Sequence, residues 1–256
     1  MSTIRVGAHQ IAYRERGDAQ RRPPLIFIHG AGSSSLNFSE LLNRLGQNHR
    51  VIALDLPGHG NSSPLPDLPG SGDLLATYRD IVAEFGERIG AGRFVLIGHS
   101  MGGAIAQLFA LEYPDRLDHL VLMATGARLR VSPQLFDVLE NHFDNVPQLV
   151  AAVAYSPHTS AEQAKAWAAS QIQASQEIVV ADFRACDQLD LRQRVAEIGC
   201  PTTIFSGADD RLTAPKLQDR LAEQIPGARL HRLSRAGHQL MVERADEVAR
   251  LLEEAL

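Results

Sequence analysis

Five short apolar runs set the frame for this chain: "LIFIH" at 25–29, "VIALD" at 51–55, "FVLIG" at 94–98, "LVLMA" at 120–124 and "TTIFSG" at 202–207. Each is apolar at consecutive positions rather than alternate ones, the pattern of a strand covered on both faces. Between them lie stretches with helical spacing, among them "NFSELLNRLGQ", "DLLATYRDIVAEFGERIG" and "GGAIAQLFALEYP", the last closed by Pro114. Strand and helix in alternation predict an α/β fold: a mostly parallel sheet with helices on both faces. The opening "IRVGAH" and "QIAYRER" are too close in sequence for a crossover, so they predict an antiparallel hairpin at one edge.

Residues 127–197 break the alternation, with helical composition and no strand of the earlier type. They read as a helical cap inserted into a core made of 1–126 and 198–256. A chain of 256 residues, 45% hydrophobic, is long enough to bury such a core with an insertion. No repeat or low-complexity tract interrupts it, and the Pro-, Gly- and Ser-rich "SSPLPDLPGSGD" at 62–73 reads as a surface loop.

The formal net charge of −5 offers no basic stripe, which argues against nucleic acid as a partner. No leader-like segment opens the chain and no apolar run could cross a bilayer, so the expectation is a cytoplasmic protein without a membrane partner. The two cysteines, Cys186 and Cys200, have neither metal-type nor redox-type spacing.

The stretch "GHSMGG" at 98–103 sits where a buried strand meets a helix. A strand that turns at once into a helix leaves no room for side chains beside the bend, which explains Gly98 and Gly102. The bend exposes the Ser100 hydroxyl above the strand's carboxyl end and leaves the Met101 amide as a free helix-start donor. Serine is a weak nucleophile at neutral pH and needs an imidazole to take its proton and a carboxylate to orient that imidazole. The chain supplies both downstream: "ADDRLTAP" puts Asp209 and Asp210 after one strand, and "SRAGHQLMVERADEV" puts His238 in a loop before the last helix.

These residues, with "HGAG" at 29–32 and "DLPGHGNS" at 55–62, make the chain similar to members of the α/β-hydrolase fold superfamily from about residue 4 to the end, least so in the cap. The resemblance implies an eight-stranded sheet, Ser100 as nucleophile, His238 as general base and acid, and Asp210 as orienting carboxylate, with Asp209 the rival for that role. It implies an oxyanion hole formed by the backbone amides of Ala31 and Met101. His29 and Gly30 would shape the loop bearing Ala31, and His99 would support the bend beside Gly98 and Gly102. His59 is read as a loop-structuring residue. No metal ligand set is implied and no cofactor, since neither a dinucleotide nor a phosphate-binding glycine motif is present.

The same resemblance narrows the chemistry. Haloalkane dehalogenases and epoxide hydrolases of this fold have Asp where Ser100 stands. Carbon–carbon bond hydrolases of the meta-cleavage type commonly have Asn where this chain has His99. Cofactor-free lyases, perhydrolases and oxygenases share the scaffold too. The leading expectation is a serine hydrolase of carboxylic esters, with thioesters and lactones close behind. The alternatives are a meta-cleavage-type hydrolase and a ligand-binding receptor on a hydrolase scaffold. The partner expected is a small ester-like molecule. Phe136, Leu139, Phe143, Leu149, Val153, Trp167 and Ile172 either line an apolar lid over Ser100 or form the core of the cap. The pocket is expected to be mainly apolar, with "RLRVSPQ" at 128–134 a solvated face and nothing basic to suggest an anionic substrate.

Overall fold

A computed structural model describes residues 1–18, 20–21, 23–65 and 71–256. The loop expected at 62–73 lies partly outside the described residues. Eight strands form one sheet: β1 (Ser2–Val6), β2 (His9–Arg16), β3 (Leu25–Ile28), β4 (Val51–Leu54), β5 (Phe94–His99), β6 (Leu117–Met123), β7 (Thr202–Gly207) and β8 (Arg229–Leu233), in the order β1-β2-β4-β3-β5-β6-β7-β8. The β1–β2 hairpin and the β2–β4 pairing are antiparallel, and every other neighbouring pair is parallel.

The consecutive apolar runs are explained by what each face meets. Along β3, Ile26 and Ile28 point into one buried cluster with Tyr78 and Phe85 of α2 (Ser71–Arg88) and Phe109 of α3 (Met101–Glu112). Leu25 and Phe27 point the other way, into a second cluster with Leu41 of α1 (Ser39–Leu45) and Val248 and Leu252 of α10 (Ala245–Ala255). With a side-chain period of two, β3 is covered on both faces, and all four of its positions are apolar.

Between β6 and β7 stand four helices, α4 (Pro133–Asn141), α5 (Val146–Val153), α6 (Ala161–Gln171) and α7 (Gln176–Gln188). Three begin at a serine whose hydroxyl accepts a first-turn amide: Ser132 from Leu135, Ser160 from Gln163 and Ser175 from Ile178. They carry small clusters of their own, such as Leu139, Val146 and Val179. Helix α7 also docks on the core. A Cβ on Gly32 would lie 2.8 Å from Val179, and one on Gly58 would lie 2.9 Å from Ile178, so bare backbone at both positions admits the helix. After β7 the chain continues through α8 (Lys216–Gln224), then β8 and the short α9 (Leu240–Glu243). Among the described residues no helix is long and apolar enough to cross a membrane.

The strand order reverses at β3. The chain leaves β3 for β4 on one side and returns to β5 on the other, so the loops after β3 and β5 part above adjacent strand ends and open a crevice there.

Candidate active site

Ser100 occupies the bend between β5 and α3 with φ 54° and ψ −116°, in the left-handed half of the map that side chains rarely adopt. Its neighbours hold it there. The Ser100 amide donates to the Met123 carbonyl at 2.9 Å, and its own carbonyl accepts from the Gly103 amide at 2.9 Å and the Thr125 hydroxyl at 2.8 Å. The flanking glycines are needed for space: a Cβ on Gly98 would stand 2.2 Å from the Gly102 carbonyl oxygen, and one on Gly102 would stand 2.2 Å from that of Ile28.

His238 lies in the loop after β8 and is buried, with its Nδ1–H donating to Asp210 Oδ2 at 2.9 Å. Asp210 also accepts the Leu212 amide at 2.8 Å, the Thr213 amide at 2.9 Å and the Thr213 hydroxyl at 2.7 Å. Burial alone would raise the Asp210 pKa. The His238 imidazole, its hydrogen bond and those from Thr213 outweigh burial and hold the carboxyl below its ordinary value. Asp209 goes elsewhere, accepting the Ser156 hydroxyl at 2.6 Å. Of the two adjacent carboxylates, Asp210 meets the imidazole and Asp209 ties the segment after α5 to the sheet.

The "HGAG" loop is fixed by His29. Its Nδ1–H donates to the Gly30 carbonyl at 2.9 Å and its Nε2 accepts the Leu56 amide at 3.0 Å, a pattern that suits the neutral ring. Burial, reinforced by nearby His59, lowers its pKa to about 4. Gly30 brings this loop close to the bend, since a Cβ there would lie 3.2 Å from the Ser100 Cβ. The amides of Ala31 and Met101 have no hydrogen-bond acceptor among the described residues. His99 donates from Nε2 to the His238 carbonyl at 2.9 Å and leaves Nδ1 buried without a partner. A proton at Nδ1 would have nowhere to point, and burial, with His238 adding to it, lowers the ring's pKa to about 3.

His59 makes hydrogen bonds that suit a cation: Nδ1 to the Pro57 carbonyl at 3.0 Å and Nε2 to the Asp182 carboxylate at 2.9 Å. Burial opposes charging the ring, yet the Asp182 charge and hydrogen bond prevail and its pKa is raised. Asp182, on α7, escaped the sequence reading, as did Glu243. Glu243 accepts the Gly237 amide at 2.7 Å beside His238, and with its other oxygen the Ser156 amide and Thr159 hydroxyl, each at 2.7 Å. The only signal for Glu243 is its position in the stretch at 234–248 that carries His238, whereas Asp182 sits on a helix whose register against the core no local pattern reveals.

Ser100, His238, Ala31 and His99 line one cavity of about 810 Å³. Of the cap residues considered from sequence, Leu139, Leu149, Val153 and Ile172 line it. Phe143 instead packs against the cluster of Leu139, Val146 and Val179, and Trp167 packs on Tyr155 at 5.6 Å between ring centres. The expectation of a pocket without basic groups is overturned: Arg128 and Arg130, from the stretch read as a solvated face, line the cavity, as do Arg192, Lys216 and Arg220. Their side chains come from three separate segments, after β6, after α7 and on α8, that only the fold brings together.

A family described as the alpha/beta hydrolase family matches residues 25–251. The chain is 27% identical to a 2-hydroxy-6-oxononadienedioate/2-hydroxy-6-oxononatrienedioate hydrolase of Burkholderia vietnamiensis, over 96% of this chain and 91% of that one. It is 26% identical to a pimeloyl-[acyl-carrier protein] methyl ester esterase of Chromobacterium violaceum, over 91% of this chain and 94% of that one. An enol-lactonase from Burkholderia xenovorans LB400 shares the fold with a TM-score of 0.88 and 23% identity, over 99% of each chain.

Proposed function

The chain belongs to the alpha/beta hydrolase family and is a hydrolase, and we propose that it cleaves carboxylic esters, including lactones and thioesters, of small molecules through Ser100, His238 and Asp210. The observation that carries this reading is the 2.9 Å bond from His238 Nδ1 to Asp210, which leaves the other ring nitrogen for the cavity it shares with Ser100. In the first half-reaction the Ser100 oxygen attacks the ester carbonyl while His238 takes its proton. The tetrahedral oxyanion sits on the Ala31 and Met101 amides, and His238 returns the proton to the departing alcohol. Water then attacks the acyl-enzyme with His238 as base, the acid leaves and Ser100 recovers its proton. Asp210 keeps the imidazole in the tautomer that accepts from serine and stabilises the imidazolium that forms.

Pre-steady-state hydrolysis of an aryl ester tests this: a burst equal to the enzyme concentration, and fluorophosphonate labelling at Ser100 alone, are expected. Labelling at another residue sinks the assignment. A second reading, hydrolysis of a carbon–carbon bond by the same three residues, is favoured by the relative named as an oxononadienedioate hydrolase. It predicts turnover of a vinylogous diketo acid faster than of any ester.

A further inference from the structure

Five side chains lining the Ser100 cavity are cations, Arg128, Arg130, Arg192, Lys216 and Arg220, and among the described residues no carboxylate lines it. Arg128 and Arg192 share one partner outside the lining, Asp190, at 3.3 and 2.6 Å. Arg130, Lys216 and Arg220 have no acidic partner among the described residues. This does not reflect a basic chain, which carries a formal net charge of −5. Lys216 and Arg220 stand four residues apart on α8 and so share a face, where like charges repel. Lys216 is also the first residue of that helix, the end whose dipole favours an anion and disfavours a cation. Exposed to water, these cations repel one another only weakly, and an anion held between them removes that repulsion.

From this convergence we propose that the cavity takes esters or lactones carrying a free carboxylate, which is held by Arg130, Lys216 and Arg220 while the scissile carbonyl lies at Ser100. The inference rests on the hydrolase reading for the place of the carbonyl, but the anion subsite stands on the cations alone. The remaining lining supplies the spacer: Leu135, Leu139, Val146, Leu149, Val150 and Ile172 are apolar and suit a short methylene chain. A carboxylate matches the edge of one guanidinium, and a cleft of one sign of charge concentrates its counter-ion. The preferred substrate is then the half-ester of a dicarboxylic acid, and the reaction releases the alcohol and a dicarboxylate.

Calorimetry on the full-length S100A variant with monomethyl adipate and dimethyl adipate separates this from turnover. The half-ester is expected to bind at least tenfold tighter, with the preference shrinking as salt is raised. In S100A carrying R130Q, K216Q and R220Q together the two should bind alike, and R220Q alone should lose part of the preference. These side chains are exposed, and unchanged melting temperatures would show the variants folded. Equal binding of both esters, a preference that survives the triple change, or binding of methyl phosphate without binding of the half-ester overturns the proposal. If S100A prefers the half-ester while the wild-type protein neither hydrolyses it nor takes the fluorophosphonate, the hydrolase reading falls and the anion subsite remains.

Discussion

The Asp182 carboxylate on α7 accepts the Gly32 amide at 2.9 Å with the same oxygen, Oδ2, that pairs with His59 Nε2 at 2.9 Å. Its other oxygen accepts the Tyr78 hydroxyl at 3.2 Å. One buried carboxylate from the helices between β6 and β7 therefore holds the loop that carries Ala31, the loop after β4 and helix α2.

Substituting Asp182→Asn removes the charge that favours a protonated His59 in a buried site and should cost about 3–5 kcal/mol, the usual effect of breaking a buried pair from one side. At roughly 2–4 °C per kcal/mol for a chain of this size, the melting temperature should fall by about 6–20 °C. In Asp182→Ala the Gly32 amide loses its acceptor as well, so the Ala31 donor loosens and kcat should fall more than KM rises. Equal melting temperatures for Asp182→Asn and wild type would remove Asp182 from this role.

The neighbouring acids Asp209 and Asp210 should behave differently. In Asp210→Asn the amide can present its NH2 to His238 Nδ1, which favours the wrong tautomer, and kcat should drop by about 10³–10⁴. Asp209→Asn keeps an acceptor for the Ser156 hydroxyl and should stay within about tenfold of wild type, since its carboxylate does not touch the imidazole. Steady-state rates with one aryl ester decide the matter, and comparable losses in both would undo the assignment.

Much of this site was legible because its parts are local. The bend needs Gly98 and Gly102 within a few residues of Ser100, and the buried strands on either side announce themselves by unbroken apolar runs. Asp210 rather than Asp209 is what the resemblance implies, and the geometry gives the adjacent side chains different partners: one leaves the loop toward His238 and the other toward Ser156. What stayed hidden depends on tertiary register. Asp182 reads as one more polar residue on an amphipathic helix until Gly32 and Gly58 let that helix approach. Arg130 lies in a stretch read as a solvated face, and its company with Arg220 shows only once the segment after β6 and helix α8 face the same cavity.

Glycine substitutions should separate into two groups by what a methyl would meet. At Gly98 and Gly102 the added Cβ faces backbone oxygen at 2.2 Å, which no side-chain adjustment relieves, so Gly98→Ala and Gly102→Ala should destabilise by about 3 kcal/mol or more and abolish turnover. At Gly199 nothing lies within 4 Å and φ is not positive, so Gly199→Ala should be neutral or stabilise by about 0.4–1 kcal/mol. Urea midpoints check both. A Gly98→Ala protein as stable and active as wild type would mean that the bend is not crowded as described.

Acid should unfold the protein through its neutral buried histidines. His99 and His29 titrate at about 3 and about 4 when folded but near 6.5 when unfolded, so below that value the unfolded chain binds protons the folded one refuses. Stability then falls as pH drops from about 6.5, by roughly 2 kcal/mol per histidine at pH 5. Half-buried His119, lowered by burial and by Arg229, acts in the same direction. His59 has the opposite sign: its folded pKa is raised, so its contribution is complete below the unfolded value and is lost as pH rises through the folded one. The two effects oppose each other: His99 and His29 favour the folded state above about pH 6.5, and His59 favours it below its raised folded value. In His99→Gln, whose amide can still donate to the His238 carbonyl, the acid limb of unfolding free energy against pH should lose about one proton of slope, ~1.4 kcal/mol per pH unit. An unchanged slope between pH 4.5 and 6 would show that the His99 ring charges without unfolding the protein.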